Sequence, residues 1–383
     1  MKTTVVGSAG KTVRSDIRVS ITSLDSGPPQ ISLVSSVEWM YGDAIRGQIA
    51  AVLEGFGSPS VLVEAEDSGA LPFVIEARLE AALAQHLEVA LPPVSSASTV
   101  HSDKNRLRRS RLYVPGGMPK LLPSIGLFGA DSVILDLEDS VAPSEKFAAL
   151  ALVRRALLSV DFGGSEKLVR VNSGSQGLTE IEALVQAGVE GFVLPKVESP
   201  ADILDAAKVL ESQGSQAVLL PIIETAKGLH FSYEIASCHP RVAAIALGVE
   251  DYLADIGAER TVTGGALEWA ILKLVNSCRA AGVSPLGPIY GQVDDEEGMK
   301  NYAARVAALG CDGVGCLHPR QVAPAHAGLA PSPTALEKAQ RIVEAFDEAV
   351  SRGEGVLSLD GKMIDAPVAA QARLTLKRAG VTL

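Results

Sequence analysis

Along residues 106–331 the chain alternates short apolar runs with longer amphipathic stretches. Eight of the short runs, RLYVPG, SVILDLED, LVRVNS, GFVLPK, VLLPIIET, AAIALGVED, PLGPIYG and GVGCLHP, are bounded by polar or glycine-containing ends. They are too short for helix cores and read as parallel strands buried on both faces. Stretches between them, such as LTEIEALVQAG and ALEWAILKLVNSCRAAG, have helical period, and Gly282 is placed as a C-terminal stop. Eight alternations of β and α predict a closed (β/α)8 TIM barrel over an open doubly wound sheet. The most informative part is residues 217–252. There two apolar runs end abruptly in acid, at Glu224 and at Glu250-Asp251, as strands do when they deliver carboxylates to a barrel mouth.

Residues 1–89 read as a small α/β unit of their own. DIRVSITSL and QISLV alternate like half-buried strands, and a helix begins near Glu38 with Ile45, Ile49, Val52 and Leu53 on one face. SVLVEAE is a third strand, DSG at 67–69 a turn, and FVIEARLEAALAQH a second amphipathic helix. Residues 90–105, with LPPVSSASTVHSD, form a linker by composition, so the small unit is expected to move relative to the barrel. Residues 332–383 exceed what a barrel needs. They predict a long amphipathic helix entered at Ser332-Pro333, a hairpin-like turn at Asp360-Gly361 and a final helix, an extension suited to a lid or an oligomer contact.

Composition narrows the classes of partner. The 383 residues are 47% hydrophobic, enough for a large core, and carry a net charge of −11. That balance argues against nucleic acid or an anionic membrane surface as partner, and the basic run at 104–111 does not overturn it. Four scattered cysteines and no CxxC point to a reducing, cytoplasmic setting. The start lacks a signal-peptide core, and no uncharged run is long enough to span a membrane. P-loop, GxGxxG, HExxH and GxSxG signatures are absent, which leaves nucleotide hydrolysis, hydride transfer and serine acyl chemistry without support.

Barrel chemistry sits at the C-terminal ends of the strands. Collected there are Arg109 and Arg111 around the first strand, Glu138 and Asp139 after the second, and Arg170 and Asn172 at the third. Lys196 follows the fourth, Glu224 the fifth, Asp251 the sixth and His318 the eighth. Glu224 and Asp251 are the metal candidates, since Mg²⁺ takes one or two carboxylates and keeps positions for water and substrate; helix capping is the alternative. Arg170 on a strand of valines calls for an anion, or else an ion pair with Glu138 or Asp139. Those two acids could instead position water. Lys196 and Arg109 are further substrate-binding candidates, while a lone histidine before proline, His318, is more often structural.

RRSRLYVPG, VILDLEDSVAPSEK, VRVNS, LPKVESP, IIETAKG, ALGVEDY, HPRQ and LDGKMIDAP together resemble the citrate lyase beta subunit and its citramalyl-CoA and malyl-CoA lyase relatives, across 106–375. AGKTVRSDIRVSI, SSVEWMYGDAIR and DSGALPFVIEARLEAAL resemble the citrate lyase acyl carrier (gamma) subunit. The resemblance implies a fusion of the two, with Mg²⁺ on Glu224 and Asp251 and the substrate's oxygens on Arg170. It implies retro-Claisen cleavage of a citryl-thioester to oxaloacetate and an acetyl-thioester, or of citramalyl-CoA or malyl-CoA to pyruvate or glyoxylate. An aspartate matching Asp365 acts as acid or base from a neighbouring subunit's lid, so a homo-oligomer, trimer or hexamer, is expected. An alpha-type acyltransferase subunit is the expected partner. One position departs: the serine that bears the family's phosphoribosyl-dephospho-CoA arm aligns with Arg14, and Ser15 is next to it. Either Ser15 carries the arm or the barrel uses free acyl-CoA.

Overall fold

The first sheet has four strands, β1 (Thr3–Val6), β2 (Ile17–Ser23), β3 (Gln30–Ser35) and β4 (Val61–Asp67), in the order β1-β2-β4-β3. The computed structural model describes residues 2–94, 101–259 and 265–381. Ile17, Val19 and Ile21 alternate inward on β2 and meet Ile45, Ile49 and Leu53 of helix α1 (Glu38–Gly55). Helix α1 crosses from β3 to β4, which is why that pair is parallel while the others are antiparallel. Strand β1 was not expected from the sequence; four residues carry too little alternation to announce a strand. Helix α2 (Pro72–Leu87) completes the unit.

All eight barrel strands form where the apolar runs predict them: β5 (Ser110–Pro115), β6 (Ser132–Asp136), β7 (Glu166–Arg170), β8 (Gly191–Leu194), β9 (Val218–Ile223), β10 (Ala244–Leu247), β11 (Ser284–Leu286) and β12 (Val314–Cys316). Neighbours pair in parallel from β12 through β5 to β11. Gly287 N to Gly313 O at 2.7 Å and an Ile289–Gly315 bridge close the ring. The connecting helices are α3 (Lys146–Ser159), α4 (Gly174–Leu184), α5 (Pro200–Ser212), α6 (Ala226–His230), α7 (Ser232–Ser237), α8 (Val249–Ile256), α9 (Gly265–Ala281), α10 (Glu296–Ala308) and α11 (Val322–Leu329). Strand side chains alternate between two cores. Leu112, Val133 and Val169 pack under the helices, while Tyr113, Ile134 and Leu168 fill the barrel interior with Val193, Leu220 and Ala246.

The basic run at 104–111 is consumed in plugging the N-terminal end of the barrel. Arg108, fully buried, pairs with Glu166 at 2.6 Å, and Glu166 also accepts from Ser132 Oγ. Arg109 grips Asp131 through two bonds of 2.8 and 2.9 Å. Arg111 alternates with Leu112 and so joins Tyr113 on the inner face, donating from Nη2 to Gly287 O. Its Nε and Nη1 have no hydrogen-bond partner among the described residues.

The expected independence of the small unit is not what its contacts show. Helix α2 is buried almost all round: Leu79 and Leu83 lie in the small unit's core, while Phe73, Val74 and Ala77 belong to the barrel's core beside α3. The C-terminal residues form α12 (Pro333–Ser351), a β13 (Leu357–Leu359) and β14 (Lys362–Ile364) hairpin, and α13 (Ala366–Arg378). Asp360 and Gly361 take positive φ of 51° and 73°, the two-residue turn that matches strand twist. This tail has its own core around Ile342, Phe346, Ile364 and Ala369. Among the described residues no helix is long and apolar enough to cross a membrane.

Candidate active site

At the C-terminal rim the strand ends bring one group of charges together. Arg170, the last residue of β7, lies beside Asp136, the last residue of β6, because the two are register partners. The guanidinium donates from Nε and Nη2 to the two Asp136 oxygens at 2.6 and 2.8 Å. Its Nη1 meets Glu138 at 2.9 Å and Asp139 at 3.4 Å. The ring of Tyr113 lies 5.4 Å beneath it. Of the two expectations for Arg170 the ion pair is present, to Glu138 and Asp139 as expected and to Asp136 in addition, and the guanidinium stands at the mouth. The long Asp139 contact, with a largely exposed carboxylate, is the one an incoming anion displaces most easily. Burial works against charge on Asp136, but Arg170 outweighs it and holds the carboxyl below its usual range.

Lys196 takes a left-handed φ of 54° just past β8, a conformation that turns its amide toward Glu224 and its ammonium back over the rim. Its backbone N–H donates to Glu224 at 3.0 Å, and Nζ donates to Glu138 at 2.7 Å. Glu224, only 5% exposed, lacks a cationic partner of its own among the described residues. Burial first, then the charges of Glu138 and Asp251, push its carboxyl up to about 7. Glu138 is also raised, by burial in the first place.

Asp251 reaches this group by a different route from the one expected. Strand β10 stops at Leu247, Gly248 makes the turn, and Asp251 lies in the first turn of α8 rather than on a strand end. Gly248 is required there: a Cβ would stand 2.5 Å from Glu224 Cγ and Oε1. Glu224 does not cap the following helix, since Thr225 does so by accepting from Gly228 N at 3.0 Å.

A donor set of Glu224 and Asp251, with Glu138 close enough to raise Glu224, fits a hard divalent cation. Such an ion would relieve the repulsion that the carboxylates impose on one another. Among the described residues no three His, Cys, Asp or Glu side chains converge as a ready cage.

Two expected residues lie elsewhere. Arg109 is a correction: it precedes β5, so it sits at the N-terminal end of the barrel, held by Asp131, and cannot contact a substrate at the rim. Asp365 caps α13, accepting from Val368 N at 3.1 Å, and α13 places Leu374 and Lys377 in a cavity with Arg109, Ser284 and Asp312 at that same far end. It therefore does not join the rim group of its own chain. His318 is structural, accepting from Arg320 N as the cap of a short turn. Asp136 escaped sequence reading. Its place two residues before Glu138, in step with the inward positions Ile134 and Ser132, was the available signal.

A closed barrel whose catalytic rim combines an arginine with a pair of uncompensated carboxylates is built to stabilise negative charge on substrate oxygens. Residues 109–319 match the family described as HpcH/HpaI aldolase/citrate lyase, and residues 2–86 match the acyl-carrier family of the malonate decarboxylase delta subunit (MdcD). The chain is 38% identical over 283 residues to the citrate lyase subunit beta of Haemophilus influenzae, spanning 72% of this chain and 97% of that protein. It is 33% identical to an L-malyl-CoA/beta-methylmalyl-CoA lyase of Cereibacter sphaeroides, over 72% of this chain and 95% of that one. The structure of CitE from Mycobacterium tuberculosis with magnesium, acetoacetate and coenzyme A superposes with a TM-score of 0.60 at 29% identity, covering 72% of this chain and 99% of the other. The chain belongs to the HpcH/HpaI aldolase/citrate lyase family, as a carbon–carbon lyase preceded by a carrier-like domain.

Proposed function

We propose that the chain cleaves a citryl-thioester to oxaloacetate and an acetyl-thioester, within a citrate lyase system that includes an alpha-type transferase subunit. The observation that carries this reading is the carrier-like domain at 2–86 joined to a barrel similar to citrate lyase beta subunits. A lyase working alone on free CoA esters has no need of that domain. Its malyl-CoA lyase likeness keeps a second reading open, in which malyl-CoA or citramalyl-CoA is the substrate.

Glu224 and Asp251 would hold Mg²⁺, which when bound supplies a Lewis acid for the oxygens of the 2-oxo acid portion. The chain's own contribution begins with Arg170, held by Asp136 through Nε and Nη2 so that its Nη1 edge, shared with Glu138 and the loosely held Asp139, meets a carboxylate or developing oxyanion. Lys196 anchors Glu138 and, through its amide, aims Glu224. Glu138 and Asp139 take part by orienting Arg170 and water. Removing the hydroxyl proton breaks the C–C bond, and the electron pair passes to the thioester carbonyl as an enolate, which is then protonated at carbon. Asp365, away from the rim of its own chain, would serve that proton transfer from another copy of the chain, which makes a homo-oligomer part of this reading. Ser15, half-buried with a left-handed φ of 61°, is the candidate attachment point for a phosphoribosyl-dephospho-CoA arm.

The test is cleavage of citryl-CoA, citramalyl-CoA and malyl-CoA by the purified chain, with Mg²⁺ and with EDTA. A preference for citryl-CoA that EDTA abolishes is expected. Turnover that ignores EDTA, or that favours malyl-CoA, defeats the corresponding part of the reading.

A further inference from the structure

The face between the carrier-like unit and the barrel is built from buried charge. Glu80 of α2, 2% exposed, accepts from Arg154 at 2.8 Å and from both ends of Arg155, all on α3. Arg154 also donates to Pro92 O at 2.7 Å, fastening the chain where it leaves α2. A second group reaches the catalytic rim. Asp16, next to Ser15, holds Arg78 through bonds of 2.9 and 3.2 Å, and Arg78 donates at 3.3 Å to the carbonyl of Gly117, just past β5. The adjoining Gly116 N donates to Asp136 O at 2.8 Å, and Asp136 is the residue that clamps Arg170. An unbroken line of hydrogen bonds and backbone thus runs from the Ser15 loop to the substrate arginine. Separating the units would break these pairs and expose to water the apolar surface packed around them, where Phe73, Val74 and Ala77 of α2 lie in the barrel's core with Ala149 and Val153 of α3.

We infer that the carrier-like unit is a fixed wall of the lyase site rather than a swinging carrier, presenting its 8–15 loop and a phosphate-bearing pantetheine thioester to the rim of its own barrel. This rests on the thioester reading above. The thioester is either an arm attached at Ser15 or a free CoA ester, and in both cases Arg78 is a positioning residue. The transferase partner must then come to the assembled unit, because the carrier does not leave it.

The experiment is a full-length chain with a protease site placed within residues 95–100. After cleavage the two fragments are expected to stay together in gel filtration and to keep lyase activity within about twofold. Turnover of free citryl-CoA by the cut pair supports presentation of the CoA ester. Turnover restricted to protein whose Ser15 carries the arm supports presentation of the attached one. Glu80→Ala should weaken association of the cut fragments by about 100-fold, and the milder Arg155→Ala by about 10-fold. Arg78→Ala should raise KM for the thioester several-fold with kcat unchanged, and Arg78→Lys should restore part of it. Separation of the wild-type fragments on cleavage overturns the inference, as does association with activity lost. Should the uncut chain lack lyase activity altogether, the substrate reading fails, while co-elution or separation still decides the docking.

Discussion

Replacing Glu224 by glutamine should stabilise the metal-free protein at pH 8 and leave it nearly unchanged at pH 4. The wild-type carboxyl rises from 4.5 to about 7 on folding, chiefly through burial and then through Glu138 and Asp251. A carboxyl whose pKa is raised in the folded state adds its stability fully below its unfolded value and loses it as pH rises through the folded value. The native state must then either ionise the group against its surroundings or hold its proton against the solvent. A displacement from 4.5 to about 7 corresponds to about 3 kcal/mol, lost progressively between pH 4.5 and pH 8. Glutamine keeps an oxygen for the Lys196 N–H, now 3.0 Å from Glu224 Oε2, and removes the charge. Denaturant unfolding in EDTA at the two pH values reads the difference. Mg²⁺ at pH 8 should then stabilise the wild type and leave the variant unmoved. A variant less stable than wild type at pH 8 in EDTA, or a difference independent of pH, refutes the reasoning.

Arg111→Met should raise the thermal midpoint of the protein, because it removes a buried guanidinium two of whose nitrogens have no partner among the described residues and replaces its stem with an unbranched apolar chain; a gain of about 1–3 kcal/mol is expected by chemical denaturation, and a loss would mean that the arginine is satisfied or that the shorter side chain leaves a cavity. Gly248→Ala should displace Glu224, whose Cγ and Oε1 lie 2.5 Å from the new Cβ, and weaken Mg²⁺ affinity about 10-fold or more by calorimetry with the fold retained by circular dichroism. Arg170→Lys should lower kcat/KM about 100-fold or more, since an ammonium cannot keep the two-pronged grip on Asp136 and still face substrate; activity near wild type would remove Arg170 from the mechanism.

The barrel was legible because its strands are buried on both faces: a run such as VLLPII has no other way to be apolar at every position and still be short. Arg170, Glu138, Lys196 and Glu224 were legible for the complementary reason, as charges where such runs end. Arg109 was collected with the rim residues although it precedes its apolar run, so chain direction already put it at the end away from the mouth. The first strand has arginines at its start, and in the structure these seal the floor. Asp251 was placed on a strand because AAIAL runs on into GVED without a break in hydropathy, and only the turn at Gly248 moves it to α8. The docking of α2 was hidden by its own charges. Arg78 and Glu80 mark an exposed face in an isolated helix, yet here both are buried because Asp16 and Arg154 meet them from elements distant in sequence.

The charge balance at the rim bears on the order of events. Asp136, Glu138, Asp139, Glu224 and Asp251 face Arg170 and Lys196, with Lys146 close by on the carbonyls of Leu137 and Glu138. Carboxylates outnumber cations, and Arg170 has given most of its donors to Asp136 before any substrate arrives. Burial first, and the neighbouring carboxylates after it, raise Glu138 and Glu224 toward their neutral forms in the metal-free site. An anionic 2-oxo acid entering then would meet repulsion from the acids and only one accessible edge of the guanidinium. A divalent cation on Glu224 and Asp251 reverses both effects, because it offsets the excess and turns the acids from repellers into ligands. Binding should therefore be ordered, metal before substrate. In calorimetry, oxaloacetate should bind the Mg²⁺-loaded protein at least about 10-fold more tightly than the EDTA-treated one, and Mg²⁺ affinity should rise by the same factor when oxaloacetate is present. Equal oxaloacetate affinity with and without Mg²⁺ would show that Arg170 alone carries the anion and that the carboxylate pair serves only the fold.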